Sequence, residues 1–163
     1  MTLAGPFHAR DGAEGFDFFI GDWTVRHQRL KRRLVGDSDW VVFGGRSTMR
    51  KILGGLGNLD ENVIDLPGGA YEAITLRLFD PVDALWSIWW VDGRRPGLEP
   101  PVRGRFENGV GTFQGDDVHE GRPVLARFIW SDITAVSAHW EQALSTDGGA
   151  SWETNWLMDF QRA

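Results

Sequence analysis

The chain has 163 residues, 42% apolar and 25% charged, with 9 Trp and 10 Phe against a single Tyr, 21 Gly and no Cys. That is one domain, too apolar to stay disordered, and the missing cysteine excludes disulfides, thiolate nucleophiles and Cys-ligated zinc or iron–sulfur centres. A net charge of −6 has the wrong sign for a general nucleic-acid binder, and no apolar run approaches the ~18 residues of a membrane span.

The N-terminal stretch MTLAGPFHARDGAEG lacks the basic start and apolar run of a signal peptide, so the expected location is the cytoplasm. Residues 1–15 are expected to be a loose lead and 16–163 a single domain. Phe16-Asp17-Phe18-Phe19-Ile20 is too short for a stable helix and suits one 3₁₀ turn plugging the end of a barrel. A first strand then runs from about Trp23 to Leu34. Trp23, Val25 and His27 share one face while Leu30 and Leu34 fall in the opposite phase, so a bulge is expected near Gln28-Arg29. Gly36-Asp37-Ser38 turns the chain, and Trp40 to Lys51 returns as a second strand with a bend at Gly44-Gly45. Gly54 to Asn58 reads as a glycine-rich loop and Leu66-Pro67-Gly68-Gly69 as a turn.

Tyr71 to Phe79 is a strand closed by Asp80-Pro81. Leu85 to Val91 follows, with Trp86, Ile88 and Trp90 on one face and Trp89 on the other. Large apolar groups on both faces suggest a wall covered by a second copy, hence a homodimer. Val102 to Phe106 and Val110 to Gln114 flank Asn108-Gly109, a strong hairpin signal. Val124 to Trp130, Val136 to Leu144 and Trp152 to Phe160 complete the pattern. About nine to ten strands in sequence, without crossover helices, predict an all-β fold: a single antiparallel up-and-down barrel.

Gly21-Asp22-Trp23, after the short plug and before a long strand, resembles the opening motif of lipocalin and related calycin barrels. With GGLGNLDENV, LRLFDP, WWVDGR, GRFENGVGTF and DGGASWETNWLMDF, the stretch FDFFIGDWTV makes the chain similar to an uncharacterised bacterial lipocalin-like family, from Phe16 to Arg162. The resemblance implies that Trp23 packs across the closed end of the barrel under Arg162, from the last strand. It implies a fold and no catalytic residue. Ser145-Thr146-Asp147-Gly148-Gly149-Ala150-Ser151-Trp152 resembles the Asp-box hairpin of sialidase-type propellers. There the Asp bonds the turn's amides, the glycine (here Gly149) takes positive φ and the Trp (here Trp152) packs beneath. A propeller needs about four blades and the chain has one copy, so the box is expected to be a turn device.

The remaining aromatic residues point to a lumen. Trp86, Trp90, Phe128, Trp130, Trp140 and Trp156 are its candidate lining, with His27 and an Arg fixing a polar or anionic end. His139 and Glu141 share one face of a strand. They are a solvated pair if Trp140 faces inward, and the best polar anchor in the chain if they do. Together with His27 they also have the chemistry of a divalent-metal set. The basic run Arg26 to Arg33 fits a solvated strand end or the mouth of a site for an anionic ligand better than a nucleic-acid surface. The expected function is binding of a small apolar or aromatic ligand with a polar or anionic end, with no catalytic residue, metal or cofactor assigned. The alternatives are an isomerase or hydrolase using His27, His139 or Glu141 as acid or base, and a haem barrel, which needs an axial His in the lumen.

Overall fold

A computed structural model describes residues 11–163. Ten strands, β1 (Gly21–Leu30), β2 (Trp40–Ile52), β3 (Gly57–Ile64), β4 (Tyr71–Asp80), β5 (Leu85–Asp92), β6 (Val102–Glu107), β7 (Val110–His119), β8 (Arg122–Ser131), β9 (Ser137–Ser145) and β10 (Glu153–Arg162), form the fold. Each pairs antiparallel with its neighbour in sequence, and β1 pairs with β10 to close the barrel. Side chains alternate in and out along each strand, so Trp23, Val25 and His27 of β1 face the lumen with Met158 and Phe160 of β10.

The expected up-and-down barrel is therefore present, with two local differences. The last two residues of the expected glycine loop, Gly57 and Asn58, instead open a strand, β3 (GNLDENVI), which the sequence did not reveal and which follows a 3₁₀ turn at Leu53–Gly55. Its Asn and Asp residues are poor strand formers, and they face inward, which inverts the usual apolar-in pattern. The bulge expected in the first strand at Gln28-Arg29 lies instead on its partner, between Thr154 and Trp156 of β10. The β1 ladder runs unbroken to Leu30, which keeps Arg29 in phase with His27 on the inner face. Residues 31–35, expected to continue this strand to Leu34, leave the sheet.

One end of the barrel is sealed. The 3₁₀ turn Asp17–Phe19 brings Phe16, Phe18 and Phe19 against Trp23, Phe106, Phe113, Trp130 and Phe160, at ring separations of 4.9–6.1 Å in mostly edge-on or tilted contacts. Residues 11–15 join this floor rather than hanging loose: the Gly12 carbonyl accepts a hydrogen bond from Trp86 Nε1 at 3.0 Å, and Ala13 is buried. Residues 1–10 of the expected lead, with His8, lie outside the described residues. Trp23 Nε1 donates to Phe19 O at 2.9 Å. The Arg162 guanidinium stacks 4.3 Å above the Trp23 ring and donates to Phe18 O, Ile20 O and Ala135 O at 2.8, 2.7 and 3.0 Å. Gly21 makes this approach possible: its φ is +111°, and a Cβ there would stand 3.0 Å from an Arg162 nitrogen.

At the other end the β9–β10 hairpin is built by Asp147. It accepts from the Ser145 hydroxyl at 2.8 Å, the Ser151 amide at 2.8 Å and the Ser151 hydroxyl. Gly149 takes φ +94°, and its carbonyl accepts from Trp152 Nε1 at 3.1 Å. The donated hydrogen bonds, those from Ser151 first, hold the Asp147 carboxyl down at about 2. This is a self-contained turn with no part of it in the lumen.

Replacing Arg162 by alanine is expected to destabilise the protein by on the order of 2 kcal/mol, because three backbone carbonyls lose a charged donor at the barrel seam. Arg162→Lys should recover little, since an ammonium cannot both stack on Trp23 and reach three acceptors. Urea unfolding of the two variants beside the parent checks both expectations.

Candidate functional site

Above the floor the lumen divides into two chambers. The inner one is small, about 30 Å³, which is room for a few atoms. Its aromatic half comes from Phe128 and Trp130 of β8, Trp140 of β9, Met158 and Phe160 of β10, and Ile88 and Trp90 of β5. Its other half is polar and comes from two neighbouring strands: Asp60 and Asn62 of β3, Thr75 and Arg77 of β4.

The centre of the polar half is a buried ion pair. Arg77 and Asp60, with side chains 4% and 2% exposed, meet at 2.7 Å. Arg77 also donates to Asn58 Oδ1 at 2.9 Å, and Asp60 Oδ1 accepts from the Thr75 amide at 3.1 Å and from Asn62 Nδ2. The guanidinium lies 4.8 Å over the Phe16 ring and 5.6 Å from that of Phe19, so the plug and the polar wall stabilise one another. Arg77 Nε and, on β2, Ser47 Oγ are buried without a hydrogen-bond partner. The sequence reading missed this whole wall. Its signal was available as Asn58, Asp60 and Asn62 at strand spacing, opposite Thr75 and Arg77 in the next strand.

The outer chamber is the open mouth, about 830 Å³. Six basic side chains (Arg29, Lys31, Arg32, Arg33, Arg94, Arg95) line it against four carboxylates (Asp92, Glu99, Asp117, Glu120), on a chain whose net charge is −6. Arg94 is neutralised by a two-pronged pair with Asp92, at 3.0 and 2.7 Å, and stacks 3.5 Å over Tyr71. Arg32 meets Asp37 at 3.4 Å. Among the described residues, Arg29, Arg33 and Arg95 form no such pair. Arg29 lies flat on Trp156 at 3.8 Å and donates to the Tyr71 hydroxyl at 2.7 Å, with its Nε unpartnered. Burial, and next the neighbouring Arg29 charge, push the Arg33 guanidinium down to about 10, with Tyr71 and Asp117 opposing the shift and Arg95 adding to it. Three cations gathered at one end of the barrel raise the affinity of that end for an anion.

Three indoles separate the chambers. Trp156 stands edge-on to Trp140 and to Trp90, each at 5.4 Å, and Trp90 lines both spaces. The partition is thus one side chain thick at Trp90.

The candidate residues from the sequence sort accordingly. Trp90, Phe128, Trp130, Trp140 and Trp156 line one chamber or the other. Trp86 does not. It is part of the floor, edge-on to Phe16 at 5.1 Å. His139 and Glu141 do not reach the lumen, because Trp140 takes the inward phase of β9. They stand on the outer wall, where His139 Nδ1 lies 2.7 Å from Asp159. His27 faces inward but lines neither chamber. It stacks on Phe43 at 4.9 Å, and its Nδ1 accepts a hydrogen bond from Trp156 Nε1 at 3.1 Å, which leaves the proton on Nε2. Nε2 abuts Gly45, where any Cβ would come within 2.8 Å of it. His27 is consequently walled off from His139 and Glu141, which meet each other at 3.9 Å on the outer wall, so the three converge in no enclosed pocket and form no metal set. Among the described residues no three His, Cys, Asp or Glu side chains converge as a metal site needs.

Burial first, and then the Arg29 charge, lower the His27 imidazole to about 4. A histidine neutral in the fold and near 6.5 when unfolded contributes fully above pH 6.5 and loses that contribution as pH falls toward 4. His27→Gln should therefore lessen the drop in melting temperature between pH 7 and pH 4.5, read by circular dichroism. Arg77→Met is expected to cost about 3–5 kcal/mol by stranding a buried carboxylate. Combining it with Asp60→Asn should cost less than Arg77→Met alone, a comparison that chemical denaturation of the three proteins makes directly.

No known protein family and no curated protein matches the chain.

Proposed function

We propose that the protein is a small-molecule-binding barrel whose ligand carries an anionic head on an apolar or aromatic body. The observation that supports this most is the trio Arg29, Arg33 and Arg95 at the mouth, none of them in a salt bridge with a carboxylate, lining the same space as Trp90 and Trp156. Solvated cations at a surface cost nothing, but a half-buried Arg33 near Arg29 and Arg95, offset in part by Tyr71 and Asp117, favours an anionic ligand. The flat Arg29–Trp156 stack presents a fork of donors above an apolar wall, which suits a carboxylate, sulfonate or phosphate attached to a hydrophobic body. The lipocalin-like assignment belongs to the same proposal and is supported by Trp23 lying under Arg162 across the closed end.

With this reading go a cytoplasmic protein without a nucleic-acid or membrane partner, and a homodimer through the outer wall at Trp89, which is only half buried. Among the described residues no helix is long and apolar enough to cross a membrane.

Titration with dodecanoate and with dodecanol, followed by tryptophan fluorescence, tests the central claim. The acid is expected to quench Trp156 and Trp90 and to bind at least about tenfold tighter than the alcohol. Arg33→Gln combined with Arg95→Gln should erase most of that difference, and added salt should shrink it. Equal binding of acid and alcohol, or no binding of either, overturns the proposal.

A further inference from the structure

The inner chamber is lined by a second arginine with an unpartnered donor, Arg77 Nε, and its position relates it to the mouth. Thr75, Asp60 and Trp90 lie at one level of the barrel, since Thr75 is opposite Asp60 on one side and Trp90 on the other. Tyr71, whose hydroxyl holds Arg29, lies four residues further up β4, roughly 13 Å at the rise of an antiparallel strand. A ligand seated with its head at Arg29 therefore needs a body of about that length to reach the polar wall.

The wall also defines the tail it would take. Asp60 and Arg77 neutralise one another, so a second charge delivered there would have no counter-ion. What the wall lacks is a partner for individual polar groups: Arg77 Nε has no acceptor, and Thr75 lines the cavity with its amide already committed to Asp60. The space admits a few atoms and no ring. A bare methyl end placed there would keep water from the polar groups without replacing it, as in any site built to pair a hydroxyl.

We propose that the inner chamber receives a neutral hydroxyl or carbonyl tail of the ligand whose anionic head sits at the mouth arginines, with Trp90 swinging aside to join the two chambers. The ligand class is thus an elongated molecule polar at both ends, anionic at one and uncharged at the other. This rests on the anion-binding reading of the mouth.

Calorimetric titration with omega-hydroxydodecanoate beside dodecanoate tests it on the full chain. The hydroxy acid is expected to bind about tenfold tighter, the discrimination of one buried hydrogen bond. Thr75→Val, which keeps the shape and the backbone bond to Asp60, should remove most of that preference. Arg33→Gln should weaken both acids alike. Equal affinity for the two acids, with both weakened by Arg33→Gln, overturns the inner-chamber proposal and leaves the mouth reading standing. Binding of neither acid overturns both.

Discussion

The structure depends on how a ten-strand barrel is closed at one end only. Where the first and last strands meet, Arg162 of β10 lies on Trp23 of β1 and reaches back to the carbonyls of Phe18 and Ile20 in the plug. Seam, plug and floor are thereby one unit. The plug's rings fill the lumen from below, and the guanidinium of Arg77 rests on Phe16 above them. The polar wall of β3 and β4 stands on that floor through Arg77, and access is left to the opposite end.

A barrel interior filled by aromatic rings would be inert if both halves were alike. Here the inward positions of β3 and β4 carry Asn58, Asp60, Asn62, Thr75 and Arg77, opposite the indoles of β5, β8 and β9. The ion pair at the centre of this wall does little for stability when weighed against well-packed apolar side chains of the same volume, because desolvation offsets most of the attraction. The wall, the indole partition and the arginine mouth form a sequence of environments along one axis, neutral-polar, aromatic, cationic.

The excess of tryptophan divides by level in the barrel. Trp23 and Trp86 belong to the floor, and Trp130 bridges the floor and the inner chamber. Trp140, Trp90 and Trp156 form the partition. Trp152 props a turn, and Trp89 and Trp40 face outward. His27, the inward histidine, serves the partition by accepting from Trp156 Nε1 rather than meeting a ligand. Its low proton affinity keeps that acceptor available through the neutral pH range.

Strand alternation, the Asn-Gly hairpin, the Asp147 turn and the Phe-rich plug were all legible in the residues, because each is a local device whose geometry is set within a few positions. The up-and-down barrel followed from their succession without crossover helices. Three features needed the folded chain. Strand β3 hides behind residues of low strand propensity, since its pairing with β2 and β4 and the Asp60–Arg77 pair outweigh local preference. The phase of Arg29 was obscured because the bulge sits on β10, and only the pairing register tells which of two strands bends. The side of the wall on which His139 and Glu141 stand was set by Trp140 taking the inner position. The sequence by itself determined the architecture; tertiary pairing alone decided which charges face the lumen, because one residue of register turns a side chain from solvent to site.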